Sequence, residues 1–281
     1  MTGFINVNKT SGASSAKEVA VIKRLSNTPC GHMGTLDPMA SGVLPIAIGN
    51  AARLFDFFLN KKKKYRATFL FGADSDTLDT TGNVNYGAGR IPLLEEIEKV
   101  LPQFVGKISQ VPPKYSAKNV DGRRGYELAR AGVEFELKAK TVEIYSVKVF
   151  KNSQYGCFDF EIECGGGTYI RSLARDIAEK LGTCAIMSAL VRTQSGPFEI
   201  ENSVSTKELT AENFEKYIIP TETLLPFESI IPDKEQEFKL FNGLAVNCEK
   251  PDGLYKIYKD GAFYGIAEVK LTLLKVRKKL C

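Results

Sequence analysis

Tryptophan is absent from this 281-residue chain, and histidine occurs once, at His32. A single histidine excludes every metal site or proton relay that needs two, including the H-E-x-x-H zinc motif. The six cysteines (Cys30, Cys157, Cys164, Cys184, Cys248 and Cys281) contain no C-x-x-C pair. Neither a zinc knuckle nor a disulfide framework is indicated, and free thiols in a reducing compartment are expected. No window approaches the ~18 uncharged apolar residues of a membrane span, and MTGFINVNKT has neither the basic nor the apolar region of a signal peptide. A cytoplasmic protein without membrane attachment is the expectation. Compositional extremes are missing too: 43% hydrophobic and 25% charged residues are ordinary globular values, and the length suits one large domain with a small companion. The 38 Lys+Arg exceed the 33 Asp+Glu, for a net charge of +5. That excess is compatible with a polyanionic partner but does not require one.

What is present is a mixed pattern of helical and strand periodicities. Residues 4–8 read as a short strand, and Ser14 or Ser15 can cap a helix with Val19, Ile22 and Leu25 on one face. Residues 31–42 carry glycines, prolines and few charges, which predicts an ordered loop before a strand at 43–48. A helix over 51–59 precedes KKKKYRATFLFG, where Tyr65, Ala67, Phe69 and Phe71 alternate with Arg66, Thr68 and Leu70 as in a strand opening at Tyr65. A polar loop, DSDTLDTTG, a helix around 93–104 and the basic segment KISQVPPKYSAKNVDGRRGYELARAG follow. In CFDFEIEC, Phe158, Phe160 and Ile162 alternate with Asp159, Glu161 and Glu163, a half-buried antiparallel pattern. Thr168 is the expected N-cap of a helix in which Ile170, Leu173, Ala174, Ile177 and Leu181 keep helical spacing, with Tyr169 and Arg171 in its first turn. Beyond Pro220, Pro226 and Pro232 the chain changes to short strands, with Asp260-Gly261 as a hairpin signal. The composition change places a boundary near residue 230, between a domain at 1–230 and a small β-barrel-like module at 231–281.

Asp37 is the most informative side chain, because GHMGTLDPMASG surrounds it with glycines that allow close approach of a ligand. A carboxylate there can act as nucleophile or base; an isolated Asp-Pro would more often be only a turn residue. Arg171 is either a solvated arginine pairing with Asp176 or Glu179, or the buried partner of a carboxylate. Tyr65 is either core or a platform for a base, since aromatic faces beside cations suit unstacked nucleotides. Gly165 to Gly167 lack the spacing of a phosphate loop and read as a tight strand-to-helix turn.

In chain order, GHMGTLDPMASGVLP, KKYRATFLFGADSDTLDTTG, VPPKYSAKNVDGRRGYELARAG and GGGTYIRSLARDI resemble four motifs of the TruB family of bacterial tRNA pseudouridine-55 synthases. The likeness covers nearly the whole chain. One departure is Lys9-Thr10, where the family usually has Lys-Pro. The resemblance implies an α+β pseudouridine synthase fold: a mixed, largely antiparallel sheet with flanking helices and a central cleft, plus a C-terminal PUA RNA-binding module. It also implies isomerisation of one uridine in the T loop of tRNA, with neither cofactor nor metal, by a stand-alone monomer that needs no protein partner. By position Asp37 matches the catalytic aspartate, Tyr65 the tyrosine that stacks on the target base, Arg171 the arginine that pairs with the aspartate, and His32 the histidine that enters the RNA loop. Asp79, Tyr169 and Leu190 fall on further active-site positions, and residues 107–140 correspond to an insertion that clamps the T stem-loop. Assistance to tRNA folding, and the guide-dependent relative that modifies ribosomal RNA, are the neighbouring functions the same motifs admit.

The chemistry requires a group to help release uracil from C1′ and another to remove the C5 proton, and no redox agent. Asp37 can attack C1′ or take the C2′ proton to form a glycal, and the residues alone do not choose between these routes.

Overall fold

The computed structural model describes residues 1–59, 61–115, 119–120, 123–124, 133, 135 and 137–280. Residues 116–118, 121–122, 125–132, 134 and 136 of the expected RNA-clamping insertion, and Cys281, lie outside the described residues. The strands are β1 (Gly3–Lys9), β2 (Cys30–His32), β3 (Ser41–Ile48), β4 (Lys63–Phe71), β5 (Ala73–Ser75), β6 (Val84–Tyr86), β7 (Gly106–Gln110), the short pair β8 (Asn119–Val120) and β9 (Arg123–Arg124), β10 (Lys140–Lys151), β11 (Cys157–Cys164), β12 (Ala185–Ser195) and β13 (Phe198–Glu199). Helices α1 (Ser15–Ser26), α2 (Phe55–Leu59), α3 (Leu94–Val100) and α4 (Ile170–Lys180) flank them. The main sheet runs β1-β3-β12-β4-β11-β10-β7, with β2 added to β3 and β13 to β12. Every pairing in it is antiparallel except β3 with β12, which touch in parallel at Ser41↔Val191 and Gly42↔Arg192.

Alternation in the sequence determines which side chains fill the core. Along β4 the buried set is Lys63, Tyr65, Ala67, Phe69 and Phe71. Phe69 packs on Phe160 at 4.3 Å between ring centroids and Phe71 meets Phe158 edge-on at 5.7 Å, favourable cross-strand arrangements. Helix α4 lays Ile170, Leu173, Ala174 and Ile177 onto the same core. Gly42 is required where β3 meets β12: its φ is +96°, and a Cβ there would run into the Arg192 carbonyl.

Three local expectations change. The strand begins at Lys63 rather than Tyr65, because β11 and β12 both extend pairing to that residue. The helix over 51–59 divides into a 3₁₀ turn at Gly49–Leu54 followed by α2. Thr168 does not cap α4: its hydroxyl donates to Gly165 O at 3.1 Å and closes the glycine turn, and the N-cap is Tyr169, whose N–H donates to Gln110 Oε1 at 2.8 Å. Ser14 does cap α1, accepting from the Lys17 N–H.

The C-terminal strands β14 (Ser229–Ile230), β15 (Val246–Asn247), β16 (Gly253–Lys259), β17 (Ala262–Lys270) and β18 (Leu273–Lys279) form a curled sheet, β14-β16-β17-β18-β15, beside α5 (Lys234–Phe241). The β16–β17 hairpin turns through Asp260 at φ +50° and Gly261 at φ +78°, as the Asp-Gly signal implies. This half-barrel matches the PUA-like module expected there, and it has its own core around Tyr255, Ile257 and Leu274. A second cluster crosses to the main body: Ile266 and Leu280 pack with Phe4, Phe58, Phe198 and Leu225. Leu280 O accepts from Asn50 Nδ2 at 3.0 Å, and Lys279 O from Arg53 Nη1 at 2.7 Å. Among the described residues no helix is long and apolar enough to cross a membrane.

That shared cluster makes a stability prediction. Leu280→Ala should cost about 2–5 kcal/mol, the usual range for truncating a buried leucine, and should lower the melting of the whole chain in one transition. A separate low-temperature transition in calorimetry would show instead that the module unfolds by itself.

Candidate active site

The loop between β2 and β3 carries Asp37, and neighbouring groups hold its backbone at almost every step. Lys9, fully buried at the end of β1, donates its ammonium to Pro38 O (3.1 Å), Ala40 O (2.5 Å) and Thr10 O (3.2 Å). Ser15 Oγ donates to Leu36 O at 2.9 Å and accepts from the Leu36 N–H at 3.0 Å. Gly12 N–H donates to Pro38 O, Ser11 Oγ to Met39 O, and the Ala40 N–H to Asp37 O. From β12, the buried Arg192 donates to Gly34 O (2.9 Å) and Val43 O (2.7 Å). Burial lowers the Lys9 pKa, and the nearby Glu18 and Asp37 carboxylates oppose that effect.

Arg171, in the first turn of α4, reaches across to this loop. Its Nε lies 3.0 Å from Asp37 Oδ2, and its Nη1 lies 3.3 Å from Asp79 Oδ2. The guanidinium also donates to Thr77 O and Tyr115 O, both at 3.0 Å. Asp79 is fixed in turn, with Oδ1 accepting from Thr77 Oγ1 (2.8 Å), the Thr81 N–H (2.9 Å) and Thr81 Oγ1 (2.5 Å). Asp176 and Glu179, the surface partners that Arg171 would otherwise have, pair with Arg175. The side chains of Arg171 and Asp79 are 8% and 4% exposed, against 35% for Asp37. The aspartate is therefore the member of the network that a ligand can reach. Burial raises the Asp37 pKa above the ordinary carboxylate value; Arg171 and Lys9 pull it back, and the Asp79 charge adds to the rise.

Asp37 and Arg171 line two cavities. One, of about 250 Å³, has Tyr65, Leu190, Met187, Tyr169, Lys63 and Arg192 among its other walls. The second, of about 910 Å³, is bordered by His32, Asp79, Asp76 and Tyr115. The structure thus gathers all seven residues singled out in the sequence around one ion pair, with Tyr65, Leu190 and Tyr169 on one side and His32 and Asp79 on the other. Burial pushes the Tyr65 hydroxyl up to about 12, although a hydrogen bond with Arg192 opposes the shift. Cysteine plays no linking role here: Cys30, Cys157, Cys164, Cys184 and Cys248 are free. Among the described residues no group of histidine, cysteine and carboxylate side chains is arranged to hold a metal.

Sequence reasoning missed Lys9, Lys63 and Arg192. The four lysines 61–64 form one basic run in the sequence, yet only Lys61, Lys62 and Lys64 are exposed, and Lys63 is buried. The signal was available: period-two alternation puts Lys63 on the face of Tyr65, Lys9 on the face of Ile5 and Val7, and Arg192 on the face of Leu190.

Comparison with known proteins agrees with this architecture. Residues 23–170 match the TruB family pseudouridylate synthase N-terminal domain, and residues 171–231 match the tRNA pseudouridylate synthase B C-terminal domain. The chain is 39% identical over 291 residues to tRNA pseudouridine synthase B of Clostridium tetani, and 37% identical over 289 residues to that of Aquifex aeolicus, covering 100% of both chains in each case. Among solved structures it is similar to a chain of a Cbf5-Nop10-Gar1 complex, with a TM-score of 0.72 and 26% identity over 99% of this chain and 85% of that one. A buried arginine between two aspartates, on a sheet of this order and in a chain that matches both domains, leads to one assignment: the protein belongs to the TruB family of pseudouridylate synthases.

Proposed function

We propose that the protein converts uridine 55 in the T loop of tRNA to pseudouridine, acting alone on a nucleotide flipped out of the loop. The observation that carries the reading is the Asp37–Arg171 pair at 3.0 Å on the wall of a cavity that Tyr65 also lines. Asp37 is accessible enough to meet C1′ or the C2′ hydrogen, and Arg171 favours its ionised form against desolvation. Tyr65 stacks on the extruded uracil, with Leu190 and Tyr169 closing the cavity around it. His32, beside the larger cavity, fills the space that the base leaves. Asp79 orients Arg171 rather than touching the base. Flipping costs a few kcal/mol, offset in part by stacking worth ~1–3 kcal/mol per base. Residues 1–230 supply these groups, and 231–281 act as an RNA-binding module that adds affinity.

Full-length relatives named tRNA pseudouridine synthase B support the tRNA reading over the guide-dependent one, since they are 39% identical where the Cbf5 chain is 26% identical. Incubating a tRNA transcript with the protein alone tests the choice. Pseudouridine at position 55 is the expected product. No product without further proteins would favour the guide-dependent function, and tight binding without turnover would favour a folding role.

Replacing Asp37 by Asn should leave tRNA affinity within a few fold but reduce tritium release from 5-tritiated uridine by at least ~10²-fold, because an amide neither attacks nor acts as a strong base. Arg171→Ala should lower turnover severely, and Arg171→Lys should recover part of the loss without the fork geometry. The pH dependence carries a sign. The Asp37 carboxylate is active when ionised, so activity is lost as pH falls through its pKa. Removing the Arg171 cation raises that pKa, and the acid limb of the rate profile should move to higher pH in Arg171→Ala. A limb that stays in place would detach Arg171 from the ionisation of Asp37.

The exposed Lys61 and Lys62 precede β4, and the exposed Lys64 is its second residue. If they meet phosphates, log affinity should fall linearly with log salt, and each lysine replaced by Gln should reduce the slope by roughly 0.7–0.9. Unchanged slopes would place the phosphate contacts elsewhere.

A further inference from the structure

Helix α4 carries Arg171 as its second residue, and a side chain from another strand holds the start of that helix. Gln110, the last residue of β7 and 1% exposed, accepts the Tyr169 N–H on its Oε1 at 2.8 Å. Thr168, the nearer polar side chain, is bonded to Gly165 O instead. Lys140 on β10 is the cross-strand partner of Gln110, and its ammonium lies 3.5 Å from where a Cβ on Gly167 would stand. Both members of the pair therefore bear on the turn that opens the helix. Further along α4, Ser172 Oγ donates to Val111 O at 2.8 Å and Arg175 Nη2 donates to the same carbonyl at 3.1 Å. Those two moorings lie behind Arg171, and the Gln110 bond lies ahead of it.

The Gln110 amide is set for that one bond, with its other end left unsatisfied. Its Nε2 is buried without a hydrogen-bond partner among the described residues. Asp176, the carboxylate on which it acts, is held by Nε and Nη2 of Arg175 at 2.9 and 2.6 Å. Turning the amide over would set its hydrogens against the Tyr169 N–H, two donors facing each other, so the oxygen is fixed where it stands. An apolar side chain of the same length would fill this space without an orphaned donor, and a buried donor with no acceptor is unfavourable. Packing does not account for a glutamine here; the need for an acceptor at the start of α4 does.

We propose that Gln110 is a positioning residue of the isomerisation: by holding the first turn of α4 it sets the Arg171 guanidinium against Asp37 and the Tyr169 wall against the reacting nucleotide. This rests on the reading of the chain as a uridine isomerase with Asp37 as its reactive carboxylate. Gln110 lines neither cavity of the site, so its effect passes through the 3.0 Å contact of Arg171 Nε with Asp37 Oδ2. Such an effect falls on turnover rather than on binding, since a displacement of about 1 Å at a reacting group can lower a rate ~10²-fold. It also falls on the ionisation of Asp37. Burial raises that pKa, Arg171 pulls it back most, the Asp79 charge adds to the rise and Lys9 pulls back less. A guanidinium that sits less closely pulls back less. The pKa then rises, and activity, which needs the ionised carboxylate, is lost at a higher pH. The charged groups around Gln110 itself are Arg175 and Asp176 on α4 and Lys140 on β10.

The test uses the full chain and a tRNA transcript, with kcat, KM, the pH profile of the rate and thermal melting compared for the wild type, Gln110→Met and Gln110→Glu. Gln110→Met keeps the length of the side chain and removes the used acceptor together with the orphaned donor. Those changes oppose each other in stability, so its melting should stay within a few degrees of the wild type. Its kcat should fall about 10-fold or more with KM unchanged within a few fold, and its acid limb should move to higher pH, in the direction of Arg171→Ala but by less. Gln110→Glu restores an oxygen acceptor in either protonation state and should recover most of the kcat and the position of the limb. A negative charge at this residue could only push the limb further up, so its return reports the hydrogen bond and not the charge. A lowered melting temperature with kcat and the limb unchanged would assign Gln110 to the fold alone and overturn the proposal. So would a raised KM at unchanged kcat, or a Gln110→Glu variant no better than Gln110→Met. If Gln110→Met does not fold, Gln110→Asn, whose amide falls short of the Tyr169 N–H, takes its place with the same expectations. A wild type that makes no pseudouridine from tRNA would defeat the isomerase reading first and the role of Gln110 with it.

Discussion

A guanidinium with 8% of its side chain exposed must have its charge answered on the spot, and the catalytic half of the molecule is arranged around doing so for Arg171. Its donors go to carboxylates on two different loops and to the carbonyls of Thr77 and Tyr115. Three segments far apart in sequence are thereby fixed to the first turn of α4. On the proposed reading, the arrangement also decides which carboxylate does chemistry. Asp79 is saturated by Thr77 and Thr81 and buried, so it serves as the permanent counter-ion. Asp37 keeps one side open and shares the same cation, so it can react without leaving Arg171 with no partner in a low-dielectric site.

Two further cations extend the pattern. Lys9 and Arg192 use their charge on backbone carbonyls rather than on acids, and both hold the loop that carries Asp37. Lys63 lines the smaller cavity beside Arg192. Four basic groups close together would repel one another; here the Glu18 and Asp37 carboxylates oppose the effect of burial on Lys9, and Asp37 and Asp79 share Arg171.

Much of this was legible in the residues. Glycines around Asp37, the alternation from Tyr65 to Phe71, the hairpin at Asp260-Gly261 and the motif order identified the elements and the central pair. The parts that were not legible depend on contacts between distant segments. Thr168 has the chemistry of a cap, yet the glycine turn before it offered its hydroxyl the Gly165 carbonyl, and a glutamine from β7 took the helix N-terminus. The lysine run looked uniform because composition ignores direction; a strand assigns alternate members of such a run to opposite faces. The cluster joining Phe4 and Phe58 to Ile266 and Leu280 has no local signature, since each half reads as an ordinary apolar strand or helix.

The loop bearing Asp37 also determines which partner has to deform. Its peptide groups are held by Lys9, Ser11, Gly12, Ser15 and Arg192, and it is pinned at both ends because β2 and β3 pair with each other. A loop held at so many points resists rearrangement. On the proposed reading, the strain of the encounter therefore falls on the nucleic acid, and RNAs differ in how much that costs them. A tightly stacked helix resists, whereas a folded hairpin whose nucleotide is already loosely held yields readily. Rigidity in the protein thus becomes a filter on the pliability of its substrate, a form of selection that needs no hydrogen bond to the neighbouring bases.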